Sequence, residues 1–86
     1  MTTNRITRAK VLETLLEYIN RHTYNRAFES AGMHFEDART YMHMAGVAYQ
    51  IMMDLGYEEG VDFERRITER DGVEYTERIP IKGGRK

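Results

Sequence analysis

The 86-residue chain contains no cysteine, no tryptophan and only one proline. Without cysteine, the chain cannot form disulfides or thiolate metal sites, and it has no cysteine nucleophile. No apolar run approaches the roughly 20 residues of a bilayer-spanning helix, and the opening stretch MTTNRITRAK lacks the apolar core of a secretion signal. We therefore expect one small cytoplasmic domain over residues 1–81, with no membrane partner.

Sequence signatures of catalysis and of cofactor binding are also missing. The chain has no glycine-rich phosphate or dinucleotide motif and no nucleophile elbow. Its three histidines, His22, His34 and His43, include no i,i+4 pair that would hold zinc from one helix. The acidic stretch 54–64 does not follow the ligand order of a calcium-binding loop. We therefore expect a protein that is not an enzyme and that binds no metal or cofactor.

An amphipathic helix is predicted to begin near the amino terminus, with Asn4 or Thr7 as its cap. Its apolar residues follow the i, i+3, i+4, i+7 spacing of one helix face: Leu12, Leu15, Leu16 and Ile19. The pattern loses phase at residues 20–23, which favours a break there, with Thr23 capping a short second helix. The alternative is one helix that runs unbroken to Gly32, a plausible stop in either case.

The segment 35–55 predicts a helix that is apolar around most of its circumference, with polar side chains confined to one stripe roughly 100° wide. In one account this helix is the middle layer of a monomer, between the first helix and a hairpin. In the other, part of its apolar arc stays exposed as a partner interface. Gly46 favours the second account, because a mid-helix glycine costs about 1 kcal/mol relative to alanine and close packing on another helix would offset that cost. The predicted interface comprises Met42, Ala45, Gly46, Tyr49 and Met53, with His43, Gln50 and Asp54 at its rim.

A β-hairpin is predicted after this helix, with strands at about 61–69 and 73–81. The tip contains Asp71-Gly72, which is typical of a two-residue turn. A three-residue loop, 70–72, is nevertheless favoured, because it gathers the apolar residues on one face of the hairpin: Val61, Phe63, Ile67, Tyr75, Ile79 and Ile81. Residues 82–86 are expected to form a flexible basic tail.

The order of these elements over residues 6–81 resembles that of a winged helix-turn-helix protein. The resemblance implies that Arg39, Thr40 and His43 face the major groove of DNA. It also implies that Arg70, at the tip of the wing, approaches a phosphate or the minor groove, with Arg66 as further basic charge. Charge distribution argues against this interpretation, because residues 32–64 carry a net charge of −6 and duplex binding depends on neutralised phosphates.

The sequence thus predicts an α+β fold of two or three helices followed by a C-terminal hairpin. We expect a regulator, an inhibitor or adaptor, that acts by binding a protein partner. We also expect it to form a homodimer through the helix predicted at 35–55. The sequence does not identify that partner. DNA binding, with nucleic acid as the less favoured partner, is the alternative.

Overall fold

The structure, a computed structural model, describes residues 5–82 and contains two helices followed by an antiparallel hairpin. The elements are α1 (Arg8–Ala31), α2 (Phe35–Asp54), β1 (Phe63–Arg70) and β2 (Val73–Pro80). This layout confirms the predicted α+β fold. Asn4, the other candidate cap, and the predicted basic tail apart from Lys82 lie outside the described residues.

Helix α1 is one unbroken helix, so the predicted break at residues 20–23 is wrong. Thr7 is its cap, since its hydroxyl accepts a hydrogen bond from the backbone N–H of Lys10 at 3.1 Å. Thr23 caps nothing: its hydroxyl donates to the carbonyl of Ile19, 2.7 Å away in the same helix. Beyond the change of phase, α1 contacts both α2 and the hairpin: the ring of His22 stacks on Tyr41 of α2, and the ring of Tyr24 meets that of Tyr75 edge-on.

The central element of the fold is α1, which packs against α2 and against β2. The main core is formed by seven buried residues from both helices, the connector and the start of β1: Leu12, Leu16, Ile19, Ala48, Met52, Tyr57 and Phe63. The account in which the 35–55 helix is the middle layer is therefore wrong. Because α2 is an outer layer, one side of it faces α1 and the opposite side faces away from the protein.

The hairpin has the two-residue turn and not the three-residue loop that we predicted. Arg70 pairs with Val73, and Ile67 pairs with Thr76. Asp71 and Gly72 adopt φ values of +54° and +78°, the left-handed conformations that a type I′ turn requires. This register places the two buried aromatic residues of the hairpin, Phe63 and Tyr75, on opposite faces, while Ile67 is 70% exposed.

The hairpin approaches α1 through the outer edge of β2, and this explains why the predicted apolar face does not exist. The side-chain amide of Asn20 donates to the carbonyl of Arg78 at 2.7 Å. The backbone N–H of Arg78 donates back to the amide oxygen of Asn20 at 2.8 Å. Asn20 thereby supplies β2 with the two hydrogen bonds that a third strand would make. With the edge of β2 held in this way, the hairpin buries one aromatic side chain on each face, Phe63 and Tyr75, and not a single apolar face.

Candidate protein-binding surface

A groove with a mostly apolar lining lies between α1 and α2. We call it the α1–α2 groove; it has a volume of about 380 Å³, and its lining residues are Leu15, Tyr18, His43, Met44, Val47, Ala48 and Ile51. The short connection between the helices makes them an antiparallel pair. Apart from the phenol of Tyr18, the only ionisable side chain in this lining is that of His43.

The floor of this groove is continuous with an exposed apolar row on α2. Val47, Ile51 and Leu55 recur at every fourth residue and therefore lie along one side of the helix. Their exposed fractions are 48%, 46% and 46%. Single exposed apolar residues are ordinary on protein surfaces, but a contiguous row next to an apolar groove is the kind of surface that can bind a partner.

The eight residues predicted as a partner interface fall into two groups in the structure. The exposed group consists of Met42, His43, Gly46, Gln50 and Asp54. The half-buried group consists of Ala45, Tyr49 and Met53. Within the second group, Met53 packs against the core, and Tyr49 meets the ring of Phe63 edge-on at 6.4 Å between centroids. The hairpin and the core of the same chain therefore occupy much of the surface that these two side chains offer.

Gly46 does not have the close neighbour that its prediction invoked. Apart from its two chain neighbours and the adjacent backbone of its own helix, a Cβ atom added to Gly46 would meet no described atom within 4 Å. Its side of α2, with Met42 half-exposed one turn earlier, is open to any partner outside the chain. Its place in an interface thus stays a prediction.

The groove residues that the sequence did not predict as an interface are Leu15, Tyr18, Met44, Val47, Ala48 and Ile51. In the sequence pattern, Val47 only interrupts the polar stripe of α2. The useful signal was the spacing of Val47, Ile51 and Leu55, which places an apolar row directly beside the polar residues.

His22 lies between the two helices as part of an aromatic stack. Its ring is edge-on to Tyr18, with centroids 4.2 Å apart, and stacked on Tyr41 at 5.7 Å. Neither ring nitrogen has a hydrogen-bond partner among residues 5–82. Burial, assisted by the positive charge of Arg21, lowers the pKa of His22 from its ordinary value. The neutral imidazole therefore acts as a packing group that joins α1 to α2.

The residues of the DNA-binding alternative do not form a basic patch. Arg39 and Thr40 are exposed on α2. Arg66 donates to Glu77 at 3.0 Å, and the guanidinium of Arg70 lies 4.8 Å from the ring centre of Tyr24. These two arginines line a groove of mixed charge on the hairpin side of α1. Its other charged residues are Arg21, Arg78, Glu13, Glu17 and Glu77. The unbroken α1 also removes the short helix on which the winged helix-turn-helix resemblance depended.

Residues 5–82 lack the geometry of two other classes of site. No three histidine or acidic side chains lie close enough together to hold a metal ion. None of the helices described combines the length and the apolarity that a membrane crossing requires.

Comparison with protein-family models, with curated protein sequences and with solved structures found no match for this chain.

Proposed function

We propose that the protein is a non-enzymatic cytoplasmic regulator, an inhibitor or adaptor, that binds an amphipathic helix of a protein partner in the α1–α2 groove. The observation that carries this proposal is the exposed row of Val47, Ile51 and Leu55 beside the groove. Burying such a row against a partner removes apolar surface from water, at about 25 cal/mol per Å².

The form of the groove favours a helix as the bound element. Antiparallel helices leave a straight furrow between them, and an amphipathic helix presents apolar side chains at the i, i+3, i+4, i+7 spacing that fits such a furrow. Met44 is half-buried at the groove wall. Methionine is flexible and polarizable, so it adapts to the shape of a bound side chain.

Two substitutions on α2 test which side of that helix binds the partner. Ile51→Glu places a carboxylate in the α1–α2 groove. Gly46→Glu places the same group on the other open side of α2, where the first atom of the new side chain meets no neighbour among the described residues. Both positions are exposed, so circular dichroism should show both variants to be folded.

The assay is capture of interacting proteins from a cell lysate by the immobilised wild type and the two variants, with and without nuclease. We expect Ile51→Glu to abolish capture and Gly46→Glu to retain it. The reverse result would assign binding to the Met42 and Gly46 side, as the sequence analysis predicted, and would reject the groove. Capture that nuclease abolishes would reject protein binding in favour of the DNA-binding alternative, as would tight duplex binding that weakens steeply with salt.

The regulator is also proposed to be a homodimer. The sequence analysis assigned the dimer contact to α2, and Gly46→Leu is the probe of that assignment. Because the added side chain begins in open space in the monomer, weaker self-association of this variant would support an α2 contact. Unchanged self-association would place the dimer contact elsewhere.

A further inference from the structure

The two outer edges of the hairpin differ in how far their backbone groups are satisfied. In an antiparallel pair, alternate residues direct their N–H and C=O groups away from the partner strand. On β2, Arg78 is one of these residues, and Asn20 occupies its two groups. Its cross-strand partner is Arg65, so Arg65, Ile67 and Glu69 direct their backbone groups outward from β1.

Within residues 5–82, the outer edge of β1 is open from Arg65 to Glu69. At the start of the strand, the carbonyl of Phe63 accepts from the backbone N–H of Gly60 at 2.7 Å, so the connector closes the edge there. Ile67, in the middle of the open segment, is 70% exposed. An open strand edge with an exposed β-branched residue at its centre is a template for pairing with another strand.

We propose that this edge pairs with the same edge of a second copy of the chain, giving a four-stranded antiparallel sheet with its two-fold axis at Ile67. The sequence of β1 is complementary to itself about that residue. Across the axis the pairs are Ile67 with Ile67, Arg66 with Thr68, Arg65 with Glu69, and Glu64 with Arg70. Every charged residue in this register therefore faces either an opposite charge or a threonine.

The hydrogen-bond pattern allows few other registers. Because Arg65, Ile67 and Glu69 carry the outward backbone groups, they must face one another across the new pair, and the strands shift only in steps of two residues. A shift one way places Arg66 opposite Arg66 of the second copy. The other way places Arg66 opposite Arg70. Like charges directly opposite destabilise a sheet, so the register centred on Ile67 is favoured.

The hairpin itself supplies a second reason for this pairing. In its observed register Arg65 faces Arg78, and Glu69 faces Glu74. These like-charged pairs lie on the same face as Ile67. In the dimer, Glu69 of the second copy comes beside Arg65, and its Arg65 comes beside Glu69. Each like-charged pair thus gains an opposite charge as its new neighbour. Within its own chain, Arg65 also contacts Glu59 at 3.1 Å.

Charge-reversal variants test the proposal without depending on one fold-sensitive substitution. Arg65→Glu alone would place the new carboxylate opposite that of Glu69 of the second copy, and the two-fold axis would repeat this repulsive pair. Glu69→Arg alone would set the new guanidinium against that of Arg65 twice. We expect each variant to dimerise roughly 30-fold more weakly than wild type, because both copies of the pair turn repulsive. Sedimentation equilibrium measures the change against a monomer mass of 10.2 kDa.

Mixing the two variants is the decisive arm. One chain then carries two carboxylates at positions 65 and 69, and the other carries two guanidinium groups, so the mixed dimer has complementary charges at both pairs. We expect the mixture to form a 1:1 dimer at a concentration where each variant alone is monomeric. Dimers of both single variants at wild-type strength, or a mixture that stays monomeric, would overturn the proposal.

Amide hydrogen exchange gives an independent readout on the wild-type protein. The N–H groups of Glu64, Arg66 and Thr68 face β2 and should be protected at every concentration. Those of Arg65, Ile67 and Glu69 should exchange rapidly in the monomer and become protected as the dimer forms. A wild-type chain that remains a monomer at millimolar concentration would also overturn the proposal. Ile51→Glu and Gly46→Leu, the probe of an α2 contact, should both leave this dimer intact. Failure of the groove proposal, a dimer contact on α2 and failure of the β1 dimer are therefore distinguishable.

Discussion

Replacing Asn20 with alanine tests the way in which the hairpin is attached to α1. The substitution removes two hydrogen bonds and leaves the N–H and C=O of Arg78 without their partner. Each bond contributes about 1 kcal/mol net, and an abandoned, partly buried backbone group adds to the loss. Alanine recovers about 0.5 kcal/mol as the better helix former. We therefore expect the free energy of unfolding to fall by about 2 kcal/mol, a drop in Tm of roughly 8–16 °C for a domain of this size.

The assay is urea unfolding followed by circular dichroism, with Asn25→Ala as the matched control. Asn25 lies on the same helix and is also half-buried, so its replacement changes helix propensity equally. Asn20→Asp adds a second comparison: it keeps an acceptor for the N–H of Arg78 but sets a carboxylate oxygen against the carbonyl. It should destabilise the fold at least as much as alanine does. If Asn20→Ala cost no more than the control, edge docking through this side chain would be refuted.

Three further predictions concern the backbone and the aromatic stack. Met33 has φ +65° and is 75% exposed, so Met33→Gly should relieve left-handed strain and raise the free energy of unfolding by about 0.5–1 kcal/mol in urea titration. Gly46→Ala should raise it by about 0.5–1 kcal/mol, because the added methyl meets no described atom within 4 Å and stiffens the unfolded chain; a loss of stability would contradict the open site. The pKa of His22 is lowered below 6.5 in the folded protein, chiefly by burial, so the unfolded chain binds the proton more readily. Stability should therefore be full above about pH 6.5 and fall as the pH drops below it. His22→Phe should flatten this fall in urea titrations, and His43→Gln, an exposed control on α2, should preserve it.

Local signals predicted the helices well because capping and side-chain spacing act within a few residues. Thr7 caps α1, and Gly56, with φ +89°, adopts the left-handed conformation that commonly ends a helix. The predicted break in α1 was wrong for a tertiary reason. Asn20 and His22 are polar residues in the stretch that was predicted to end the helix. In the structure Asn20 binds the hairpin, and His22 stacks between two tyrosines.

The predicted hairpin register was wrong because it was chosen on the assumption that one whole face of the hairpin is covered. The local chemistry of Asp71-Gly72 was the better guide, since a type I′ turn suits these two residues and the twist of the strands. Alternation of apolar residues along a strand predicts a buried face only when a face is what packs. Here the edge of β2 packs against α1, and Ile67 remains exposed.

The sequence predicted that α2 carries an apolar surface, but it did not predict which side of the helix stays exposed. The excess of apolar residues on α2 showed that something outside its own helix must cover it, but not which side α1 would occupy. Tyr49 and Met53 turned out to contact their own chain, while Val47 and Ile51 remain open. Deciding between these sides requires the position of α1, which no local pattern encodes.

Three isoleucines offer the most direct test that the protein works through two separate association surfaces. Ile19 is fully buried, Ile51 is 46% exposed beside the α1–α2 groove, and Ile67 is 70% exposed on β1. In protein labelled at the isoleucine methyl groups, a soluble paramagnetic probe broadens the NMR signals of accessible methyls. At low concentration we expect the signals of Ile51 and Ile67 to broaden and that of Ile19 to stay sharp. At high concentration Ile67 should become shielded while Ile51 stays accessible. An Ile51 as shielded as Ile19, or an Ile67 accessible at every concentration, would contradict the account.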